Sequence, residues 1–183
     1  MKENYLRLLQ KSFLNQMKFN DLLFNDYDWR KNENPFWNRV VYGTVSEIVL
    51  LLYKGINNEN LLEVKDRLVK AWAFLIGWIL QEEHFVARRS LEEIARRILY
   101  VYEENKKALS ERITLEDILD CIDKIVSACA RLDLYRAVKD FCQLLLMIKF
   151  DLEQLCKYHN SYVEAILTKF QKEQKEKGGN DEK

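Results

Sequence analysis

Ten consecutive apolar residues near the middle of the chain constrain the fold most strongly. The run Ala-Trp-Ala-Phe-Leu-Ile-Gly-Trp-Ile-Leu occupies residues 71–80. A helix that is apolar on every side must be surrounded by protein or lipid, and a membrane-spanning helix needs about 20 apolar residues. We therefore expect residues 60–85 to form the central helix of a helical domain. Gly77 costs such a helix about 1 kcal/mol relative to Ala, so we interpret it as a place where a neighbouring helix approaches closely.

Most other segments have the spacing of amphipathic helices. The clearest pattern runs from Leu91 to Tyr102, where apolar residues recur at helical spacing behind a capping sequence at Ser90. Similar capping sequences begin at Thr114 and Ser161, and the one at Ser161 indicates that the chain kinks there and starts a new helix. No segment alternates over a useful length as a β-strand would.

A second apolar run, Leu144 to Ile148, predicts another interior helix over residues 134–159. We therefore predict an all-α fold, an irregular bundle of six or seven helices in which the helices near 60–85 and 134–159 are central and buried. A single helical domain should cover residues 1–170. Residues 171–183 are charged, contain glycine and have no apolar stripe, so we predict a disordered tail there.

The charge balance argues against a strongly basic nucleic-acid-binding protein. The chain has 29 Lys and Arg and 29 Asp and Glu, so its formal net charge is zero. A local basic patch is still compatible with this balance, and a neutral chain gains little solubility from self-repulsion. We therefore expect association with a protein partner or with a second copy.

Motifs for catalysis, phosphate binding and metal binding are absent from the sequence. There is no Gly-rich phosphate loop, no Gly-x-Ser-x-Gly motif and no His-Glu-x-x-His motif. The four cysteines lie inside helical patterns without a Cys-x-x-Cys pair, and the first residues lack the pattern of a secretory signal, so we expect no signal peptide. We expect reduced thiols, cytoplasmic localisation, no cofactor, no metal and no small-molecule substrate, and we do not expect an enzyme.

Two weaker signals leave alternatives open. Cys156 and His159 are three residues apart on a predicted helix, a spacing at which a nucleophile and a base can touch, although Cys156 also extends an apolar stripe. Asp117, Asp120 and Asp123 form a helical row of carboxylates. We interpret this row as a solvated acidic surface, with a docking surface for a basic partner as the alternative.

The first candidate binding site is the polar segment 25–37. Four aromatic residues, Tyr27, Trp29, Phe36 and Trp37, lie there among charged ones, and aromatic residues beside arginine are typical of the centres of protein interfaces. We predict a partner-binding site formed by Tyr27, Trp29, Arg30 and Trp37. The alternative is that the loop packs its own aromatic side chains against the bundle.

The second candidate site is a group of arginines that could bind the phosphates of RNA or DNA. The group consists of Arg88, Arg89, Arg96 and Arg97. Two glutamates, Glu92 and Glu93, each lie four residues before an arginine, a spacing that favours ion pairs on a helix. A solvated, self-neutralised surface is therefore the preferred interpretation, and nucleic-acid binding is the alternative.

Apolar residues outside the main stripe of their helix provide the last signal. Tyr100 and Val101 lie off the stripe, as do Leu146, Met147 and Phe150. Such an excess fits either a multilayered core or a self-association face. We predict a non-enzymatic helical interaction protein, an assembly subunit, adaptor or regulator, that acts through an aromatic and charged surface. The alternative is a small helical subunit of a nucleic-acid-binding complex.

Overall fold

The computed structural model describes residues 2–24, 28–30, 36–54, 58–109 and 112–178. Within these ranges the regular structure is entirely helical, which confirms the predicted all-α fold. Seven α-helices and one π-helical segment lie in the described part of the chain. Their bounds are α1 Lys2–Leu23, α2 Phe36–Tyr53, α3 Asn58–Ile79, the π-helical segment Leu80–Val86, α4 Leu91–Ala108, α5 Leu115–Ala130, α6 Leu134–Met147 and α7 Leu152–Gly178.

The apolar run forms the last part of α3, which is the central helix that the sequence predicts. Every residue of 71–80 is buried except Phe74, which is half-buried. α3 contacts α1, α2, α6 and α7, so the run meets other helices on several sides. Trp72, for example, stacks on Phe141 of α6 with ring centroids 5.8 Å apart. Among the described residues, no helix is long and apolar enough to cross a membrane.

Gly77 allows a close approach between α3 and the first turn of α2, as its position in the apolar run suggests. The ring of Trp37 packs directly over it. A Cβ atom added at Gly77 would lie 2.5 Å from a carbon of that ring, a distance at which one of the two groups must move. The interpretation of this glycine as a helix-approach site is therefore confirmed.

Side-chain caps fix the starts of α4 and α5 at the predicted positions. The Oγ atom of Ser90 accepts a hydrogen bond from the backbone N–H of Glu93 at 3.1 Å. Thr114 and Asp117 form a reciprocal capping box at the start of α5. Hydrogen bonds from the side chain and backbone of Thr114 hold the pKa of the Asp117 carboxyl below its usual value.

The segment 134–159 is central, as predicted, but it is divided between α6 and α7. Lys149, between the two helices, adopts a left-handed φ of 55°, which ends α6. Asp151 then caps α7, because its Oδ1 accepts a hydrogen bond from the N–H of Gln154 at 2.7 Å. The predicted restart at Ser161 is wrong, since the chain has already turned before Asp151 and α7 continues through Ser161 without interruption.

α7 also extends beyond the domain end predicted at residue 170. Residues 171–178, which we expected to be disordered, continue the helix. Gln, Lys and Glu are good helix formers, and Lys169 pairs with Glu173 at 3.9 Å in this region. Residues 179–183 lie outside the described residues, where the disordered tail stays a prediction.

The first and last helices lie side by side in the same direction. Asn4, near the start of α1, donates a hydrogen bond to Glu153, near the start of α7. Further along both helices, Asn15 donates to Asn160 at 3.0 Å. One hydrophobic core receives residues from all seven α-helices, so the termini are tied to the same core as the central helix.

Candidate partner-binding site

The aromatic site predicted in segment 25–37 is largely internal. Trp29 and Trp37 are 1% and 3% exposed, so the expectation of exposed aromatic contacts is wrong for both. Trp29 packs edge-on against Trp37, with ring centroids 6.2 Å apart, and against Phe85, at 5.2 Å. These two tryptophans follow the alternative interpretation, in which the loop packs its aromatic residues against the bundle.

Arg30 is held in place by contacts within the chain. Its guanidinium group lies 5.1 Å from the centroid of the Trp29 ring and forms an ion pair with Asp21. The same Asp21 carboxylate accepts a hydrogen bond from the indole N–H of Trp29 at 2.9 Å. Tyr27, the remaining member of the predicted site, lies outside the described residues, so its role stays a prediction.

A groove of about 440 Å³ opens between α4 and α6, near the end of α3. Its lining is mainly apolar, which is typical of surfaces that receive a ligand or a partner side chain. The apolar lining consists of Ile94, Ile98 and Val101 from α4, Leu134 and Val138 from α6, and Ile79 from α3. The charged lining consists of Glu83, Glu93, Arg96 and Arg97.

The groove follows two helices that run in the same direction. Ile94 and Ile98, in the first half of α4, line it together with Leu134, at the start of α6. Further along both helices, the Nδ2 atom of Asn105 donates a hydrogen bond to the backbone carbonyl of Lys139 at 2.8 Å. The N-termini of α4 and α6 therefore lie at the same end of the groove.

Glu83 organises this end of the groove. The π-helical segment carries Glu83, and its carboxylate pairs with both Arg89 and Arg97, the latter at 3.0 Å. His84 Nδ1–H donates to the backbone carbonyl of Arg89 at 2.7 Å, and Arg88 adopts a left-handed φ of 59° in the turn before α4. Short π-helical segments are frequent at functional sites, and this one connects the central helix to the groove.

The predicted nucleic-acid patch is largely neutralised by neighbouring glutamates. Arg96 pairs with Glu92 at 2.6 Å, as its helical spacing predicts. Arg97 pairs with Glu83 rather than with the glutamate four residues earlier in α4, and Arg89 shares that partner. Arg88 is exposed, and within the described part of the chain no ion pair involves it.

Three exposed apolar side chains lie in or near the groove. Tyr100 is 65% exposed, Leu132 59% and Tyr135 68%; both tyrosines line the groove, and Leu132 lies two residues before the start of α6. The sequence signal for Tyr100 was its position off the apolar stripe. By contrast Val101, which also lies off that stripe, is buried. Tyr135 carries no comparable signal, because its exposure depends on how the start of α6 faces α4.

Cys156 and His159 are both buried, and their shifted pKa values do not suit a nucleophile and its base. His159 Nε2–H donates to the Oε1 atom of Gln16 at 2.9 Å, because the amide NH₂ of Gln16 is already directed at Asn20. Burial lowers the pKa of His159 to about 4 and raises the pKa of the Cys156 thiol to about 12. This thiol is therefore protonated at neutral pH and a poor nucleophile.

The acidic row on α5 is exposed at Asp117, Asp120 and Asp123. Asp117 is occupied as a helix cap. In the described ranges no group of three or more His, Cys, Asp or Glu side chains is arranged to hold a metal ion. The exposure of these carboxylates fits both a solvated surface and a docking surface for a basic partner, so the choice between them stays a prediction.

No protein-family model, curated protein or solved structure matches this chain. The candidate site is thus defined by its own geometry: an apolar groove between two parallel helices, flanked by two exposed tyrosines and ending in a cluster of ion pairs. This geometry is suited to holding another molecule's apolar side chains.

Proposed function

We propose that the protein is a non-enzymatic, cytoplasmic interaction protein whose groove between α4 and α6 binds an apolar segment of a protein partner. The observation that carries this proposal is the exposure of Tyr100 and Tyr135 on the walls of a groove whose lining is mainly apolar. Tyrosine provides a large contact area at a low cost in side-chain entropy and is enriched at interface hot spots. We therefore propose that the partner binds at this groove, which the bundle leaves uncovered, rather than at the buried Trp29 and Trp37.

Binding would proceed by burial of apolar side chains of the partner against Ile94, Ile98 and Val138. The two tyrosine rings would then close over the inserted groups. The charged groups at the Glu83 end lie at the rim, where they set orientation and register more than affinity.

The buried cysteines of the chain argue against nucleophilic catalysis by a thiol. Burial raises the pKa of each of the four cysteine thiols to about 12. Cysteines with such values do not supply the thiolate that nucleophilic catalysis needs. Four free, buried thiols also suit a reducing compartment.

The proposal is tested by capture of partners from an extract of the cells that produce the protein. Three immobilised forms are compared: the wild type, the groove variant Tyr100→Ser/Tyr135→Ser, and the control variant Tyr42→Ser/Tyr53→Ser. The control removes two exposed tyrosines from α2, which does not line the groove. We expect at least one protein to be retained by the wild type and the control and lost from the groove variant, and to bind again when purified.

Retention of the same molecules by all three forms would contradict the proposal. If the captured molecule is RNA or DNA, the nucleic-acid alternative through Arg88, Arg89, Arg96 and Arg97 gains support. The salt dependence of binding then separates the two hypotheses, because affinity for phosphates falls steeply between low and moderate salt. Apolar burial in the groove should change little over that range.

A further inference from the structure

We propose that the molecule bound at the groove is a second copy of this chain, which docks α4 against α4 in antiparallel orientation across a two-fold axis near Tyr100. The proposal rests on the function proposed above and names its partner. It is carried by the order of the exposed side chains along α4.

Five exposed side chains form one row along α4. The row consists of Glu93, Arg97, Tyr100, Glu104 and Lys107. The steps between them alternate between four and three residues, which gives the average period of about 3.5 residues that keeps a stripe facing a neighbouring helix. The first three members also line the groove, so the row and the groove belong to the same face.

The charges along this row complement the same row read in the opposite direction. From the N-terminus the order is negative, positive, tyrosine, negative, positive. When a second copy runs antiparallel about Tyr100, Glu93 of each copy lies opposite Lys107 of the other, and Arg97 lies opposite Glu104. A two-fold axis repeats each contact, which gives four opposite-charge contacts around a central pair of tyrosines. A parallel arrangement would place each charge opposite its own kind.

The existing ion pairs of the row leave these contacts accessible. Arg97 pairs with Glu83 at 3.0 Å, Glu93 pairs with Arg89 at 3.6 Å, and Lys107 pairs with Glu104 at 2.7 Å. All of these residues except Glu83 and Arg89 are exposed, and exposed pairs contribute roughly 0–1 kcal/mol. Each charged side chain can therefore exchange its present ion-pair partner for one on the second copy, or contact both, at little cost in free energy.

The direction of the two helices favours the same arrangement. Because α4 and α6 are parallel, their dipoles add. A two-fold axis perpendicular to these helices makes α4 and α6 of the second copy run antiparallel to those of the first, which is the favourable orientation for helix dipoles. The zero net charge of the chain adds no long-range repulsion between copies.

The size of this face predicts a reversible dimer. α4 and α6 have 18 and 14 residues. From the rise and diameter of a helix, the face formed by α4 and α6 measures roughly 25 by 20 Å, or about 500 Å² per copy when it is treated as flat. Such an area is near the lower end of specific interfaces, so dimerisation should depend on concentration.

Two single charge reversals test the register of the dimer. Glu93→Lys and Lys107→Glu each turn two attractive contacts into repulsive ones, so each variant alone should dimerise about tenfold more weakly than the wild type. Mixed in equal amounts, the two variants should form a heterodimer about as tight as the wild-type homodimer, because each reversed charge then meets the other. Sedimentation velocity over a wide concentration range measures all three cases, and circular dichroism verifies that each variant is folded.

The control variant is Glu92→Lys. It changes the charge of the same helix turn by the same amount but lies off the row, so it should weaken the dimer far less than Glu93→Lys. A second measurement does not depend on charge. The four native thiols are buried, so Tyr100→Cys places one accessible thiol near the proposed axis, where it should form an intermolecular disulfide. Tyr53→Cys on α2 should not.

The possible results separate this proposal from the function on which it rests. A wild type that stays monomeric at every concentration overturns the second-copy proposal, while groove-dependent capture of another protein would still support the proposed function. A dimer that is not restored by mixing the two charge variants overturns the antiparallel register. If neither self-association nor capture depends on groove residues, the proposed function fails as well.

Discussion

Trp29 and Tyr100 are both aromatic residues close to charged groups, yet the bundle buries the first and exposes the second. Trp29 belongs to a loop, but Trp37 from α2 and Phe85 from the π-helical segment enclose its ring. Tyr100 belongs to a regular helix, but no described element covers its outward side. The number of elements that converge on a residue, rather than its place in a loop or helix, decides whether its ring stabilises the fold or is available to a partner.

Removal of each ring in turn measures how much it contributes to the stability of the fold. Trp29→Ala should lower the free energy of unfolding by about 3–5 kcal/mol, because it opens a cavity in the core. Tyr100→Ala should change it by less than about 0.5 kcal/mol, as expected for an exposed position. Urea unfolding followed by circular dichroism measures both values.

A different outcome for either variant would reverse its assignment. A loss below about 1 kcal/mol for Trp29→Ala would mean that the loop separates from the bundle in solution and offers Trp29 to a partner. A large loss for Tyr100→Ala would mean that its ring is part of the core, and the groove would then lose its main contact.

A third region lies between α1 and α7 and is buried like the ring of Trp29. Its contribution to the stability of the fold should depend on pH. The ring Nδ1 of His159 has no hydrogen-bond partner among the described residues, and burial lowers the pKa of His159 from 6.5 to about 4. The unfolded chain therefore takes up this proton at a higher pH than the folded one. The stability that the neutral ring contributes is complete above pH 6.5 and is lost as the pH falls toward 4, by an amount on the order of 3 kcal/mol.

His159→Gln provides the matched control for this effect. Its amide NH₂ can still donate to Gln16, but it does not titrate. The difference in unfolding free energy between the wild type and this variant, measured at several pH values from 7 to about 4, should shift against the wild type as the pH falls. A constant difference would show that His159 is already protonated, or stays neutral in both states.

The helices could largely be predicted from the sequence because their signals are local. The apolar run at 71–80 and the caps at Ser90 and Thr114 each depend on a few neighbouring residues. The break between α6 and α7 was misplaced because apolar residues continue across it. The backbone turn at Lys149 depends on tertiary packing that no local pattern specifies.

The functional site was harder to predict because exposure is a tertiary property. The segment 25–37 looks polar and loop-like in the sequence, yet Trp29 is enclosed by residues from distant helices. Conversely, Asn15 and Gln16 look like surface residues on α1, but they are buried against α7. The groove could not be predicted from the sequence, because it forms only where α4 and α6 lie side by side in parallel. Only the position of Tyr100 off its stripe indicated an exposed aromatic residue in advance.

A pair of glycines provides the finest test of the difference between crowded and open surfaces. Gly77→Ala would place a methyl group within 2.9 Å of three carbons of the Trp37 ring, so overpacking should lower the unfolding free energy by about 1–3 kcal/mol. Gly43→Ala, in α2, meets no atom within 4 Å and should raise it by about 0.5–1 kcal/mol through helix propensity alone. Thermal and urea unfolding of the two variants should therefore shift in opposite directions. Stabilisation by both would mean that the Trp37 ring can move away from α3, and that the aromatic cluster is looser than its burial indicates.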